Sequence, residues 1–187
     1  MRVLSLMIVA AAAVAAPAQA QELSRGTQRL ELVGAAQVGC VAGAARPGRQ
    51  VNATFQDGGP AGGTVVIPVL VDPNTAATLG SSIELSLPVV CNTSHSISVR
   101  SYNGALTRDG ANGRAAGGFA ESQVYGVAVT WQNQTARIDG TSRTAAFAWP
   151  QPAKGDVTVD IEVPRGTAPL VAGAYRDAVV VEIRPAN

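Results

Sequence analysis

The sequence predicts an all-β chain folded as a sandwich, and three observations carry that expectation. Short segments of alternating apolar and polar residues recur along the chain, as strands with one buried face require. With 20 glycines and 11 prolines among 187 residues, Gly or Pro interrupts nearly every window in which a helical period could develop. The chain has only three Phe, three Tyr and two Trp, so the core must be aliphatic.

The chain opens with Met1 and Arg2, an apolar run over 3–16, and the small-x-small site Ala18-Gln19-Ala20. Residues 1–20 therefore read as a signal peptide cleaved before Gln21. The apolar run is about 14 residues, against roughly 20 for a spanning helix, and no later run is long enough to cross a membrane. An exported protein with no membrane span after signal cleavage is expected. Residues 21–33 read as an N-terminal extension or a first strand, and residues 34–187 as one domain. Loss of Arg2 leaves 13 basic residues against 13 acidic ones, with no long basic run, which argues against a nucleic-acid partner.

Cys40 and Cys91 are the only cysteines. In an oxidising compartment they read as one disulfide, closing a loop of about 50 residues worth roughly 4 kcal/mol in the chain-entropy model. The alternative, a reactive thiol pair, is disfavoured by a spacing far from Cys-x-x-Cys.

Strand candidates follow in order. Residues 28–32 and 50–55 alternate. Residues 64–71 are apolar, with Pro68 suggesting an edge or a bulge. Residues 83–87 alternate and lead through Pro88 to Cys91. Asn92-Thr93-Ser94 reads as a turn and 95–100 alternates again, so the two segments are expected to form a hairpin. Residues 104–118 read as a long loop, 123–131 as a strand and 132–134 as a turn. Residues 144–149 give a weaker strand signal and 157–163 a clean one, and 164–169 are loop. Gly173-Ala174-Tyr175-Arg176-Asp177 then leads into a β-branched run over 178–184 that reads as the last strand. The chain is expected to end one strand short, leaving an open apolar edge beside it.

Catalytic chemistry is hard to assemble. His95 is the only histidine and reads as a turn or surface residue rather than the base of a triad. No His-x-x-x-His, multi-cysteine or phosphate-loop pattern occurs, so no cofactor or metal is expected. The aspartates are scattered, and Trp131 and Trp149 read as core rather than as a sugar platform. The expectation is a protein that is not an enzyme.

Several segments together resemble the spore coat protein U domain family, which includes pilin-like subunits of archaic chaperone–usher pili. The likeness lies in Cys40 after a short N-terminal strand, in Val89-Val90-Cys91-Asn92 with Ile97-Ser98-Val99, in Asn103-Gly104-Ala105-Leu106, and in Val124-Tyr125-Gly126-Val127. The best match is Gly173-Ala174-Tyr175-Arg176-Asp177 before Val179-Val180-Val181, which resembles the family's closing Gly-x-Tyr-x-Asp strand. The resemblance implies an immunoglobulin-like β-sandwich that is incomplete, missing its last strand. It also implies a structural pilus subunit whose partners are a periplasmic chaperone, an outer-membrane usher and like subunits joined by strand exchange.

On that reading Gly173, Tyr175, Asp177, Val179, Val181 and Ile183 are the assembly residues. Tyr175 and Asp177, two apart, share a face; the Tyr175 hydroxyl bonds backbone and Asp177 receives a turn or backbone donor. Leu23, Leu30 and Leu32 would be the apolar anchors of a donor strand. The alternative is a self-contained binding module in which residues 29–33 are the domain's own first strand.

Overall fold

The computed structural model describes residues 31–59, 62–113, 115 and 117–186. Fourteen strands and no helix are found among them. The expected segments 1–20 and 21–30, and with them Leu23 and Leu30, lie outside the described residues. Residues 31–35 belong to a unit separate from the compact unit that begins at Ala36. They carry no strand, and Leu32 is exposed.

One sheet has the order β1-β5-β12-β9-β10, built from β1 (Cys40–Ala42), β5 (Ser81–Cys91), β12 (Ala153–Val163), β9 (Gly126–Trp131) and β10 (Gln134–Ile138). Strand β2 (Arg46–Val51) also pairs with β5, beside β1. The second sheet has the order β11-β6-β14, from β11 (Thr144–Trp149), β6 (His95–Ser101) and β14 (Val179–Pro185). Small ladders join β3 (Thr54–Asp57) to β4 (Gly63–Val66), and β7 (Ala105–Arg108) to β8 (Ser122–Val124) and β13 (Tyr175–Arg176).

Alternation explains the layering. In β5 the buried residues include Ile83, Leu85, Val89 and Cys91, in β12 Val157, Val159 and Val163, and in β9 Val127, Val129 and Trp131. They meet Ile97 and Val99 of β6, backed by Val179, Val181 and Ile183 of β14, in one aliphatic core. The architecture is thus an all-β, two-layered sandwich with one disulfide, Cys40–Cys91, which joins the neighbouring strands β1 and β5 of the first sheet. Trp131, wholly buried, is core as expected, and Trp149 packs partly buried against it.

Pro88 sits inside a long paired strand without cost, and the register shows why. Strand β2 pairs with β5 only as far as Ser86, and β1 takes over from Val89. The Pro88 carbonyl accepts from Gly43 N across that gap. A strand residue's N–H and C=O point the same way, so the missing donor faces the gap and not β12.

Several expectations need correction. The hairpin across Asn92-Thr93-Ser94 does not form: β5 pairs with β1, β2 and β12, whereas β6 pairs with β11 and β14. The turn instead carries the chain from one layer to the other, so both segments bury the same core from opposite sides. Residues 50–55 are not one strand. Asn52 adopts φ 48° and its side chain donates to the Val69 carbonyl and the Ser81 hydroxyl, diverting the chain from β2 into β3. Residues 104–118 are not all loop, because β7 lies within them. Residues 123–131 break at Tyr125 into β8 and β9. The closing run likewise divides at Asp177-Ala178, with β13 pairing with β7 and β14 with β6. His95 is not a surface residue but is 1% exposed.

Candidate functional site: an open strand edge above an apolar groove

Strand β14 pairs with β6 on one side and with no strand on the other among the described residues. The direction of its backbone groups follows from two bonds that flank the ladder: the Ala178 carbonyl accepts from Tyr102 N, and Ala186 N donates to the Ser94 carbonyl. Residues of that parity face β6. The N–H and C=O groups of Val179, Val181 and Ile183 therefore face the open edge, while their side chains pack on the core. Pro185, the last residue of β14, brings no N–H to that edge.

Beside this edge lies a groove of about 830 Å3. Its walls are 178–181 on one side and, on the other, residues of β1, β3 and β4 and the segment 43–45, with Phe55 and Val65 among them. Leu85, Leu87, Val159, Ile161 and Val163 also line it, all apolar residues of β5 and β12. Unpaired main-chain groups beside an apolar trough make a template for an added extended segment: the edge supplies hydrogen bonds and the trough takes alternate side chains.

A hydrogen-bonded cluster stands at the start of β14. Asp177 Oδ2 accepts from the Ser101 hydroxyl at 2.5 Å and the Tyr125 hydroxyl at 2.6 Å. Its Oδ1 accepts from Asn103 N at 2.9 Å and Ala178 N at 2.7 Å. Burial works to raise the Asp177 pKa, but these four donors favour the charged form and hold it below the usual aspartate value. Burial first, and then the hydrogen bond given to Asp177, push the Tyr125 hydroxyl well above the ordinary tyrosine range. Both residues line the groove. With its acceptor positions occupied, the carboxylate fixes the start of β14 and the β8–β9 break in place.

The expected assembly residues divide accordingly. Val179, Val181 and Ile183 lie together on β14, and Asp177 holds its start, receiving backbone donors as expected. Tyr175 does not share a face with Asp177. Its hydroxyl donates to the Val171 carbonyl at 2.7 Å and the Ala120 carbonyl at 3.2 Å, a separate brace of the kind expected of it. Gly173 has φ 150°, and a Cβ there would sit 3.0 Å from Arg108 Cγ. Sequence reading missed Ser101 and Tyr125, whose link to Asp177 spans 76 and 52 residues. Nothing in a single chain marks such distant partners.

Among the described residues, one cluster has the donor types of a cation site: Cys40, Cys91 and His95. As a disulfide the two sulfurs are not available as thiolates. Comparison with protein-family models, with curated proteins and with solved structures returned no match.

Proposed function

We propose that this chain is an exported structural subunit of a bacterial surface pilus or related appendage, joined to its neighbours by donor-strand complementation. The observation that carries this reading is the unpaired edge of β14 above an apolar groove. That geometry calls for a strand from outside the compact unit. The resemblance of the closing Gly-x-Tyr-x-Asp segment to the spore coat protein U domain family supports it, as does the leader-like 1–20 segment. A periplasmic chaperone fills the groove first, an outer-membrane usher receives the subunit, and the 21–33 segment of a neighbouring subunit then replaces the chaperone. Leu23, Leu30 and Leu32 supply the apolar anchors. The reading assigns the chain no reaction.

The test is the mass and melting point of the oxidised, exported chain, alone and with a synthetic peptide spanning residues 21–33. Strand addition gives oligomers, or a monomer that melts higher as peptide is added. At peptide one hundredfold above its Kd the gain is about 2.7 kcal/mol. A stable monomer indifferent to the peptide sinks strand exchange through this segment.

A further inference from the structure

We propose that Asn103 and Asn112 are latent deamidation sites of this chain, and that the fold holds each one shut by placing a side-chain oxygen on the N–H of the glycine that follows. Asn103-Gly104 and Asn112-Gly113 are the two Asn-Gly steps of the sequence. Such a step is especially prone to ring closure, because glycine has no Cβ to obstruct it. The glycine nitrogen gives up its proton and attacks Asn Cγ, a C–N bond forms, and the side-chain amide leaves as ammonia. Water then opens the succinimide at either carbonyl, leaving aspartate or isoaspartate. One water enters, one ammonia departs, and no oxidant or reductant takes part.

Both asparagines are exposed, so burial does not keep water from them. The glycine nitrogens are what the fold controls. Gly104 N donates to Ser101 Oγ at 2.7 Å, at a buried position, and the Ser101 hydroxyl is itself fixed on Asp177 Oδ2. Gly113 N donates to Glu121 Oε2 at 2.8 Å, and Asn112 N to the same oxygen at 3.1 Å. Arg108 Nε donates to the other oxygen of that carboxylate at 3.1 Å, and the guanidinium holds the Glu121 carboxyl below the usual glutamate value. A bonded N–H must leave its acceptor before its nitrogen can turn toward Asn Cγ, and a carboxylate beside Gly113 N also opposes loss of the proton. Ring closure therefore waits for local opening.

A residue with a Cβ is disfavoured at either glycine, so the labile step is built into the turn. Gly104 has φ 80° and Gly113 φ 70°, and a Cβ on Gly104 would sit 2.9 Å from Arg143 Cγ. Position 103 is the more consequential of the two. Tyr102 N donates to the Ala178 carbonyl and Asn103 N to Asp177 Oδ1, which ties this turn to the start of β14. Isoaspartate at 103 adds a carbon to the main chain before Gly104, so the bonds to Asp177 and Ser101 on its two sides fall out of register.

The test incubates the oxidised, exported chain in mildly alkaline buffer, folded and in urea, and reads aspartate and isoaspartate at 103 and 112 by peptide mapping. The folded chain should convert at least about tenfold more slowly at both positions than the unfolded chain. Ser101→Ala should speed conversion at 103 about tenfold and leave 112 at the wild-type rate, and Glu121→Ala should do the reverse. A fold that is merely destabilised speeds both sites together, so that result overturns the proposal. So does a wild-type rate equal to the rate in urea at either site, or a variant without effect on its own site. Should Ser101→Ala fail to fold, amide hydrogen exchange at wild-type Gly104 decides for that site: exchange as fast as in the unfolded chain overturns the latch, and slow exchange upholds it.

Discussion

Removing the Asp177 carboxylate should cost stability by an amount the structure sets. In Asp177→Ala the hydroxyls of Ser101 and Tyr125, 3.1 Å apart, keep one bond between them, so each retains a partner while one of their two protons loses its acceptor. Asn103 N and Ala178 N lie at exposed positions and turn to water. The loss is then mainly two part-buried, charge-assisted bonds, each worth about 1.5–3 kcal/mol before the hydroxyls recover part of it. A net cost of about 2–4 kcal/mol follows, and at about 2–4 °C per kcal/mol in a domain of this size the melting point falls by roughly 4–16 °C. Asp177→Asn keeps an acceptor for the two amides and donates to hydroxyls that can turn to accept, so it should cost about half as much. The folded-state pKa is depressed, so the carboxylate's contribution is fully present above the unfolded value of about 3.9 and fades as pH falls through the lower, folded value. Urea melts of wild type, Asp177→Ala and Asp177→Asn from neutral pH downwards read all three effects. An alanine variant within about 0.5 kcal/mol of wild type, or an asparagine variant whose deficit stays constant below pH 4, would refute the reasoning.

Three further outcomes follow from the packing and the backbone. Ile97→Ala, at a wholly buried position between the layers, should lose about 2–5 kcal/mol in the same melts, and a loss under 1 kcal/mol would mean that the layers close around the gap. Gly173→Ala should lose about 1–2 kcal/mol from its φ of 150° and the approach to Arg108; an unchanged melting point would show that the backbone relaxes there. Val180→Pro removes an N–H that serves β6 and Val181→Pro one that faces the open edge. The first should therefore be the less stable by about 1 kcal/mol, while the second should be the one that no longer responds to the 21–33 peptide; the reverse order would invalidate the strand parity.

The class of fold was legible because burial on one face writes itself into alternation. Residues 83–87, 95–100 and 157–163 all carry that signal and all lie in strands of the core. What alternation leaves unwritten is which strand lies beside which. Asn92-Thr93-Ser94 has the composition of a hairpin turn, yet the same residues serve a crossing between layers, since either path reverses the chain. Strand β10 escaped notice because Thr135-Ala136-Arg137-Ile138 buries one small and one large residue, too short a pattern to read alone. The open edge was foreseeable from the closing β-branched run. The Asp177 brace was not, because its partners lie on other strands and are ordinary polar residues in sequence.

The order of the strands also sets when the molecule can exist at all. Val179 faces Ser101 and Pro185 faces His95, separations of 78 and 90 residues, and β12 reaches back from Val163 to Ser81. Contacts so distant in the chain must wait for large loops to close, which places folding on the order of milliseconds to seconds rather than microseconds. A chain emerging from its N-terminus must also present almost all of itself before the second sheet can acquire β14. Until then β6 lacks one neighbour and Ile97 and Val99 lack part of their cover. The interval between emergence and closure is therefore when this protein most needs protection from its own kind.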